Sequence, residues 1–398
     1  MSGTSTGSEV RVTLVLNDDF SMWHFFRGLI SALLARGIKV LAVTPPGPYV
    51  AALQELGATH AAVAMPRFVS PVGDVAMLRA LLKVFRREAP DVVCNITVKP
   101  LVYGALAARL AGVPRVVGMV EGLGYGFLDG GGWRARALRG VVSGMYRVGC
   151  RFSDLIGFAN PDDRDQLVRS GVVSAGKALA FRSMVGVDIK SFTPGAVAPD
   201  ALERLRTELG IRPSHCVVAM VTRVVWSKGV KEFVEASQEA AGWPTACHFL
   251  LVGPIDPESR DPVPESYLRE RASPWFTWVP TFRQDLKEIL SLADVVALPS
   301  YYREGVPRVL LEAMALGKPI VTTDNVGCRE TVDQDRNGYL VPVHDSRAFA
   351  EGVRRLAENE PLRLAFGRQS RAKAESEFSE TAVADRVATR LLGLPAPP

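Results

Sequence analysis

Short apolar runs of strand length alternate with helix-length amphipathic segments along almost the whole chain. In the first half, the runs expected to form strands cover 10–16, 40–44, 61–65, 91–96, 115–120 and 154–159, and the helical segments cover 25–35, 75–88 and 102–111. Strands that alternate with helices pair in parallel, because each crossover helix covers the sheet and returns the chain in the same direction. The pattern predicts an α/β fold with a mostly parallel sheet.

The alternation stops over 186–213, where Pro194, Gly195, Pro199 and Pro213 interrupt it, and then begins again. The strands expected in the second half cover 216–222, 248–252, 277–279, 294–299, 319–323 and 338–341, and the helices cover 230–241, 284–293, 307–316 and 347–358. A chain of 398 residues is too long for one ordinary core. We expect a Rossmann-like domain over 1–190, a second over 191–378, and a helix with a tail over 379–398 that can pack back on the first domain. The two domains would face each other across a cleft at the carboxyl ends of their strands.

Composition excludes several classes of protein. The chain is 47% hydrophobic and 22% charged, as in globular proteins. It has no uncharged apolar run of 18 residues, and its first nine residues lack the order of a secretory signal, so we predict a cytoplasmic protein. The five cysteines and five histidines do not stand at metal-ligand spacing. The pairs Asp18-Asp19 and Asp162-Asp163 precede predicted helices, where aspartates are suited to cap the helix N-terminus. We therefore expect no metal.

The segment from Pro299 to Gly317 is the most informative. It ends a predicted strand, carries Glu304 and Gly305 in a loop, and starts a helix at Pro307. The free N–H groups at a helix N-terminus suit a diphosphate. Glu304, and Glu312 two turns into the helix, would repel phosphate but accept hydrogen bonds from sugar and ribose hydroxyls.

Cations that could bind such a diphosphate lie elsewhere in the same half. Arg223 and Lys228 follow the first strand of this half, and Gly229 then leads into a helix. Arginine can hold phosphate oxygens in a fork, while lysine acts as a point charge. The two segments together predict a nucleotide-sugar site.

These residues carry a resemblance to a known family. Glu304 and Glu312 resemble the E-x7-E signature of the retaining GT-B glycosyltransferases of family 4, and Arg223 with Lys228 resembles the phosphate-binding pair of that family. Further blocks stand in family order along nearly the whole chain: Gly186-Val187-Asp188, Phe192-Thr193-Pro194, Leu251-Val252-Gly253, Gly327-Cys328-Arg329-Glu330 and the run from Asn337 to Pro342.

The resemblance implies roles for single residues. Arg223 and Lys228 would hold the diphosphate and stabilise it as a leaving group, Glu304 would bind the sugar hydroxyls, and Glu312 the ribose. The remaining donor-binding residues would be Gly305, Val306, Pro307, Arg308, Gly253 and Asp188. In the front-face mechanism implied for retaining members, the enzyme supplies no nucleophile and needs no metal or cofactor, and the leaving phosphate accepts the proton. The donor would be a UDP-sugar.

The first half carries two blocks expected to bind an acceptor. Thr97 and Lys99 lie between a strand and a helix, and Glu121 ends the next strand before Gly122, Gly124 and Gly126. The spacing does not match the G-x-G-x-x-G pattern of NAD binding. Both blocks resemble a bacterial subgroup, N-acetylgalactosaminyltransferase-like, that extends undecaprenyl-diphosphate-linked sugars. Glu121 stands where that subgroup carries a small hydroxyl residue. It could be a base-like acceptor contact or a loop carboxylate paired with an arginine.

The stretch 133–152 contains five arginines and no acid. On a helical wheel Arg136, Arg139, Arg147 and Arg151 lie on one side, and the other side carries Leu138, Val141, Val142, Met145, Val148 and Phe152. Such a helix fits an anionic membrane surface, but it could also be an ordinary helix that buries its apolar face.

Taken together, the sequence predicts a retaining transferase at the inner face of the cell membrane. It would move a sugar, expected to be an N-acetylhexosamine, from a UDP-sugar to a polyprenyl-diphosphate-linked saccharide in surface polysaccharide assembly. Two alternatives remain open: a soluble family 4 transferase with a small-molecule acceptor, and a non-catalytic nucleotide-sugar-binding protein. Binding of nucleic acid is disfavoured, because the arginines alternate with aliphatic rather than stacking aromatic residues.

Overall fold

The structure is a computed structural model that describes residues 9–66, 70–124 and 133–396. The chain divides into two compact units. The first contains Met1–Gly186 together with Glu380–Pro398, and the second contains Val187–Ser379. The chain therefore passes between the units twice.

The described part of the N-terminal unit holds a seven-stranded sheet in which every pair is parallel. Its strands are β1 (Arg11–Val15), β2 (Lys39–Thr44), β3 (Thr59–Ala62), β4 (Val92–Ile96), β5 (Arg115–Val120), β6 (Leu155–Phe158) and β7 (Ala178–Ala180), in the order β3-β2-β1-β4-β5-β6-β7. The chain order reverses between β1 and β4, which is where ligands bind in sheets of this kind.

Six helices among the described residues of this first segment surround the sheet. They are α1 (Asp19–Ala35), α2 (Val50–Glu55), α3 (Pro71–Glu88), α4 (Ala105–Leu110), α5 (Trp133–Phe152) and α6 (Pro161–Arg169). Side-chain caps explain where three of them begin: Asp18 accepts from the N–H of Ser21, Ser70 from Gly73, and Asn160 from Asp163. The segment expected as one helix over 102–111 is instead a π-helical turn, Pro100–Gly104, followed by α4.

The C-terminal unit repeats the architecture. Its strands are β8 (Cys216–Val221), β9 (Cys247–Val252), β10 (Phe276–Val279), β11 (Val295–Leu298), β12 (Ile320–Thr323) and β13 (Gly338–Val341), and they form a parallel sheet in the order β10-β9-β8-β11-β12-β13. The helices are α7 (Pro199–Glu208), α8 (Val230–Glu239), α9 (Glu265–Arg269), α10 (Leu286–Leu292), α11 (Arg308–Ala315), α12 (Ser346–Ala357) and α13 (Glu360–Lys373). Here the order reverses between β8 and β11.

A last helix, α14 (Glu380–Arg386), belongs to the N-terminal unit. It packs against α1, and its Val383 lies in a core cluster with Leu29 and Ile30 of that helix. Val387 and Leu391, in the π-helical turn that follows, belong to the same cluster. One face of the N-terminal sheet is therefore covered by residues from both ends of the described chain.

The described residues contain no helix that is both long and apolar enough to cross a bilayer. Within those same ranges, no group of three or more His, Cys, Asp or Glu side chains is placed to hold a metal ion. All five cysteines are buried thiols.

Candidate functional site

Two loops of the C-terminal unit meet at the point where its strand order reverses. One follows β8 and carries Arg223 and Lys228, and the other follows β11 and carries Glu304. Because β8 and β11 are parallel neighbours, both loops leave the sheet at its carboxyl edge. Sequence spacing alone did not establish this proximity.

Backbone contacts fix the two loops to each other. The N–H groups of Tyr301 and Tyr302 donate to the carbonyl of Ser227, at 2.9 and 3.0 Å. Gly229 has φ +80°, and a Cβ there would overlap the carbonyl oxygen of Pro299, so only glycine permits this approach. The positions of Lys228 and Glu304 are thus set by one rigid junction.

At this junction Lys228 Nζ lies 2.5 Å from Glu304 Oε1. The two side chains are 8% and 21% exposed, so each charge is largely removed from water and needs the other. The ammonium group also lies 5.4 Å from the centroid of the Tyr302 ring. An anion that binds at this edge of the sheet would therefore have to share Lys228 with Glu304.

The loop after β12 supports the Glu304 loop from its other side. Asn325 Nδ2 donates to the carbonyls of Ser300 and Tyr302, at 3.3 and 3.1 Å. Gly327 has φ +81°, and a Cβ there would overlap the carbonyl oxygen of Gly305. Sequence reasoning placed Gly327 in a family block but did not identify this supporting contact.

Helix α11 begins at Arg308, one residue after the predicted start, and Pro307 is its extended N-cap residue. Arg308 Nε donates to Glu312 Oε1 at 2.7 Å, and the two side chains are 14% and 5% exposed. The helix thus carries a buried carboxylate one turn from an arginine, directly behind the loop that holds Glu304, Gly305 and Val306.

Other predicted donor-binding residues have structural partners. Arg223 Nη1 donates to Asp256 Oδ2 at 2.6 Å. Gly253 has φ +144°, and a Cβ there would overlap the carbonyl oxygen of Thr222, so it permits two loops to touch. Asp188 accepts from the N–H groups of Lys190 and Ser191, both at 3.0 Å, and caps its own turn. Donor binding by these residues stays a prediction.

In the N-terminal unit, Thr97 and Asn17 meet where the strand order reverses. Thr97 Oγ1 donates to Asn17 Oδ1 at 3.2 Å. The φ of Thr97 is +71°, a conformation that a β-branched residue adopts only under strain. Strained residues of this kind cluster at functional sites, and acceptor binding by Thr97 stays a prediction.

Lys99 is neutralised within the fold. Its Nζ lies 2.6 Å from Asp74 Oδ1, and Tyr103 donates its hydroxyl to Asp74 Oδ2 at 3.3 Å. The side chains of Lys99 and Asp74 are 13% and 7% exposed. Lys99 is therefore already paired in the structure, and an acceptor phosphate would have to share it with Asp74. No local sequence pattern indicates that Asp74 is the partner of Lys99.

Glu121 directly follows β5. Its Oε1 is buried and has no hydrogen-bond partner among the described residues. Burial raises the pKa of this carboxyl from its ordinary 4.5 to about 7. Within those residues Glu121 forms no ion pair, so pairing with an arginine finds no support there. Gly122 and Gly124 follow with φ +156° and +59°, and Gly126 lies outside the described residues.

The basic helix α5 differs from the expected division into two faces. Arg136, Arg147 and Arg151 are exposed as predicted, and Arg139 is half-buried. Val141 and Val148, which the helical wheel places on the apolar side, are 59% and 44% exposed. The buried residues among the described side chains of α5 are Tyr146, Gly149 and Cys150. Gly149 lies so close to the backbone of Leu101 that a Cβ there would press on it.

The exposed side of α5 therefore mixes cations with apolar groups. Trp133 is 69% exposed at its start. Near its end a groove of about 430 Å³ is lined by Arg147, Arg151 and Lys177 together with Ser174 and mainly apolar residues, and no acid of the described part of the chain lines it. Among the described residues, Arg147 and Arg151 make no ion pair.

Two family models match the chain. One, described as a glycosyl transferase 4-like domain, matches residues 22–180, and the other, glycosyl transferases group 1, matches residues 203–373. Each model falls within one of the structural units.

Two curated bacterial proteins are similar along most of their length. The N,N'-diacetylbacillosaminyl-diphospho-undecaprenol alpha-1,3-N-acetylgalactosaminyltransferase of Campylobacter jejuni is 29% identical, over 95% of this chain and 97% of its own. The UDP-Gal:alpha-D-GlcNAc-diphosphoundecaprenol alpha-1,3-galactosyltransferase of Escherichia coli is 25% identical, over 81% of this chain and 80% of its own.

Solved structures share the fold. Anabaena HepE in complex with UDP and glucose gives a TM-score of 0.77 at 19% identity, over 97% of this chain and 100% of that one. Sucrose-phosphate synthase of Thermosynechococcus elongatus gives 0.79 at 20% identity, over 96% and 98%. With two parallel-sheet Rossmann-like units, each matched by a glycosyltransferase model, the chain belongs to the GT-B glycosyltransferases of group 1 and family 4.

Proposed function

We propose that this glycosyltransferase moves a sugar from a UDP-sugar to a polyprenyl-diphosphate-linked saccharide with retention of configuration and without a metal ion. The observation that carries the proposal is the group of charges at the β8–β11 junction. Two cations, Arg223 and Lys228, and the N-terminus of α11 can receive a diphosphate, while Glu304 and Glu312 can accept hydroxyl hydrogen bonds.

The choice of substrates rests on the relatives. The similar C. jejuni and E. coli proteins act, by their names, on undecaprenyl-diphosphate-linked saccharides, and the second uses UDP-galactose. The first transfers N-acetylgalactosamine. An N-acetylhexosamine linked to UDP is accordingly the proposed donor, and a lipid-linked saccharide the proposed acceptor.

The proposed reaction needs no protein nucleophile. The bond between the sugar C1 and the β-phosphate oxygen breaks, the acceptor oxygen bonds to C1 on the same face, and the hydroxyl proton passes to the leaving phosphate. Lys228 and Arg223 would stabilise the charge that develops on that phosphate, which is the main catalytic contribution. Glu304 would hold the sugar hydroxyls, and Glu312 the ribose.

An anionic membrane surface is the proposed location of the reaction. Arg136, Arg147 and Arg151 alternate on α5 with the exposed Trp133, Val141 and Val148. Basic residues near anionic lipids contribute about 1 kcal/mol each, and exposed apolar groups add to this by entering the interface. The two exposed valines and the exposed tryptophan support this location over an ordinary helix that buries its apolar face.

A thermal-shift titration tests the donor. UDP, GDP, UDP-N-acetylglucosamine, UDP-N-acetylgalactosamine and GDP-mannose would each be added to the wild type, Arg223→Ala and Glu312→Ala. A ligand at 100 times its Kd adds about 2.7 kcal/mol of stability. We expect a shift with the UDP series that is much smaller in both variants. A shift with the GDP series alone, or with none, would contradict the proposed donor.

A transfer assay tests the rest. The wild type is incubated with the UDP-sugar found above and a polyprenyl-diphosphate-linked saccharide, with and without EDTA, and the anomeric configuration of the product is read by NMR. Transfer that retains the α configuration and survives EDTA is expected. Activity on soluble acceptors alone would favour the small-molecule transferase, and binding without turnover would favour the non-catalytic alternative.

A further inference from the structure

The segment 253–262 belongs to the connection between β9 and α9. It lies against the loop after β8, which carries both proposed phosphate-binding cations. Val224 donates its N–H to the carbonyl of Pro254 at 2.9 Å, and Trp226 donates to that of Asp261 at 2.9 Å. Isolated bridges join Val224 to Ile255 and Val225 to Pro262. The two segments therefore form one backbone-paired unit at the carboxyl edge of the sheet.

Two aspartates of this segment reach the cation-bearing segment with their side chains. Asp261 Oδ2 accepts from the N–H of Ser227 at 2.7 Å and so anchors the 3₁₀ turn that ends at Lys228. Asp256 Oδ2 accepts from Arg223 Nη1 at 2.6 Å. Asp261 thus holds the backbone of the turn, and Asp256 holds a side chain.

Asp256 is itself held in place. Its Oδ1 accepts from the N–H of Glu258 at 3.2 Å, and its side chain is only 17% exposed. Arg223 is 49% exposed, and Asp256 supplies the partner that the structure shows for its guanidinium. A flexible, half-exposed arginine is therefore tied to a fixed carboxylate through one nitrogen, and its fork has other N–H groups with which to bind phosphate.

We infer that Asp256 is a positioning residue that orients the Arg223 guanidinium for the donor diphosphate. This inference rests on the proposed function. The physical reason is that immobilising a long side chain on binding costs free energy, and Asp256 removes most of that cost before the donor arrives. Breaking the contact would weaken diphosphate binding by about threefold to tenfold.

A competing role makes the opposite prediction. If Asp256 only occupied Arg223 and had to be displaced by phosphate, its removal would free the arginine and strengthen diphosphate binding. The sign of the change in affinity separates the two roles.

The experiment compares UDP with uridine by calorimetry in the wild type, Asp256→Ala, Asp256→Asn and Arg223→Ala. Asp256→Ala should bind UDP threefold to tenfold more weakly and uridine unchanged, because uridine has no diphosphate. Asp256→Asn keeps an acceptor oxygen, so its affinity for UDP should lie between those of the wild type and Asp256→Ala. The matched control is Asp200→Ala, which breaks an Asp–Arg pair of the same 2.6 Å length on α7, and it should leave both affinities unchanged.

A double variant shows whether Asp256 acts through Arg223. Arg223→Ala/Asp256→Ala should bind UDP no more weakly than Arg223→Ala alone, since a residue that acts through another contributes nothing in its absence. Equal or tighter UDP binding by Asp256→Ala, equal losses for UDP and uridine, or additive losses in the double variant would each overturn the inference. A wild type that fails to bind UDP would instead overturn the proposed function, and the inference with it.

Discussion

Lys228 and Glu304 form a largely buried ion pair that joins the loop after β8 to the loop after β11. The pair has a structural role, because the ammonium group holds the two loops together, and we propose that the same ammonium group stabilises a leaving phosphate. Each partner compensates the other for the loss of water.

Replacing Lys228 by methionine should reduce transfer by about 10²–10³-fold, by analogy with the loss of one oxyanion-stabilising donor. It should also lower the melting temperature, because Glu304 is left buried without its partner. The measurements are kcat and the Tm of the unliganded protein. Lys231→Met, which removes an exposed lysine on α8, is the control. A Lys228→Met enzyme with near-normal kcat would contradict the catalytic role.

Glu312→Gln should weaken UDP binding by about 10–100-fold, the range for losing a charged hydrogen-bond partner. Because the proposed partner is the ribose, the variant should also lose the ability to distinguish UDP from 2′-deoxy-UDP. Kd values for both nucleotides provide the test. Glu351→Gln changes an exposed carboxylate paired with two arginines and should behave as the wild type. Undiminished discrimination in Glu312→Gln would place the ribose elsewhere.

Gly327→Ala should weaken UDP binding, because a Cβ at this position would push on the carbonyl of Gly305. Gly195 is the matched control, since its φ of +79° is close to the +81° of Gly327 but a Cβ there has no neighbour within 4 Å. Both alanines are strained by their positive φ. Only Gly327→Ala also displaces Gly305. Tm and UDP affinity would be measured for both variants, and equal affinities would contradict the supporting role of the loop after β12.

Glu121 should make stability depend on pH. Its pKa in the folded protein is raised to about 7, so the folded state keeps a proton that the unfolded state releases near pH 4.5. The contribution of this group to the free energy of unfolding is therefore full below pH 4.5 and is lost as the pH rises through 7. Glu121→Gln removes the effect, on the order of 3 kcal/mol.

The test compares Tm values at pH 5 and pH 8. The advantage of Glu121→Gln over the wild type should grow between the two, whereas Glu55→Gln, on an exposed residue of α2, should show no such growth. A constant difference would mean that the Glu121 carboxyl is not kept neutral by burial.

Arg147→Glu/Arg151→Glu should lower the fraction of protein that sediments with anionic vesicles, by at least tenfold at low salt, since two attractive charges become repulsive. Arg336→Glu/Arg368→Glu makes the same change in net charge on exposed arginines of the C-terminal unit. If this control lost vesicle binding equally, net charge rather than α5 would be responsible.

The sequence predicted the elements that are set by local patterns. Apolar runs located β5 and β13 to the residue, and the strand–loop–helix order placed Glu304 on a loop and Glu312 inside the helix that follows it. The three-residue strand β7 was missed, because a segment as short as Ala178–Ala180 has no periodicity to detect.

What the sequence could not provide are contacts between distant loops. Asp256 lies 33 residues from Arg223, and Asp74 lies 25 residues before Lys99. Their pairing depends on the path of the chain over the sheet, which no local pattern encodes. Likewise, a helical wheel shows that α5 is amphipathic, but the close approach of Gly149 to Leu101 decides which side is buried.

The return of α14 to the N-terminal unit has a consequence during synthesis. Residues 187–379 leave the ribosome before Val383, Val387 and Leu391, which complete the hydrophobic cluster on one face of the N-terminal sheet. The C-terminal unit can therefore fold while that face still lacks part of its cover, so the half of the protein made first is the half finished last. In that interval the uncovered face is a surface for chaperones to protect.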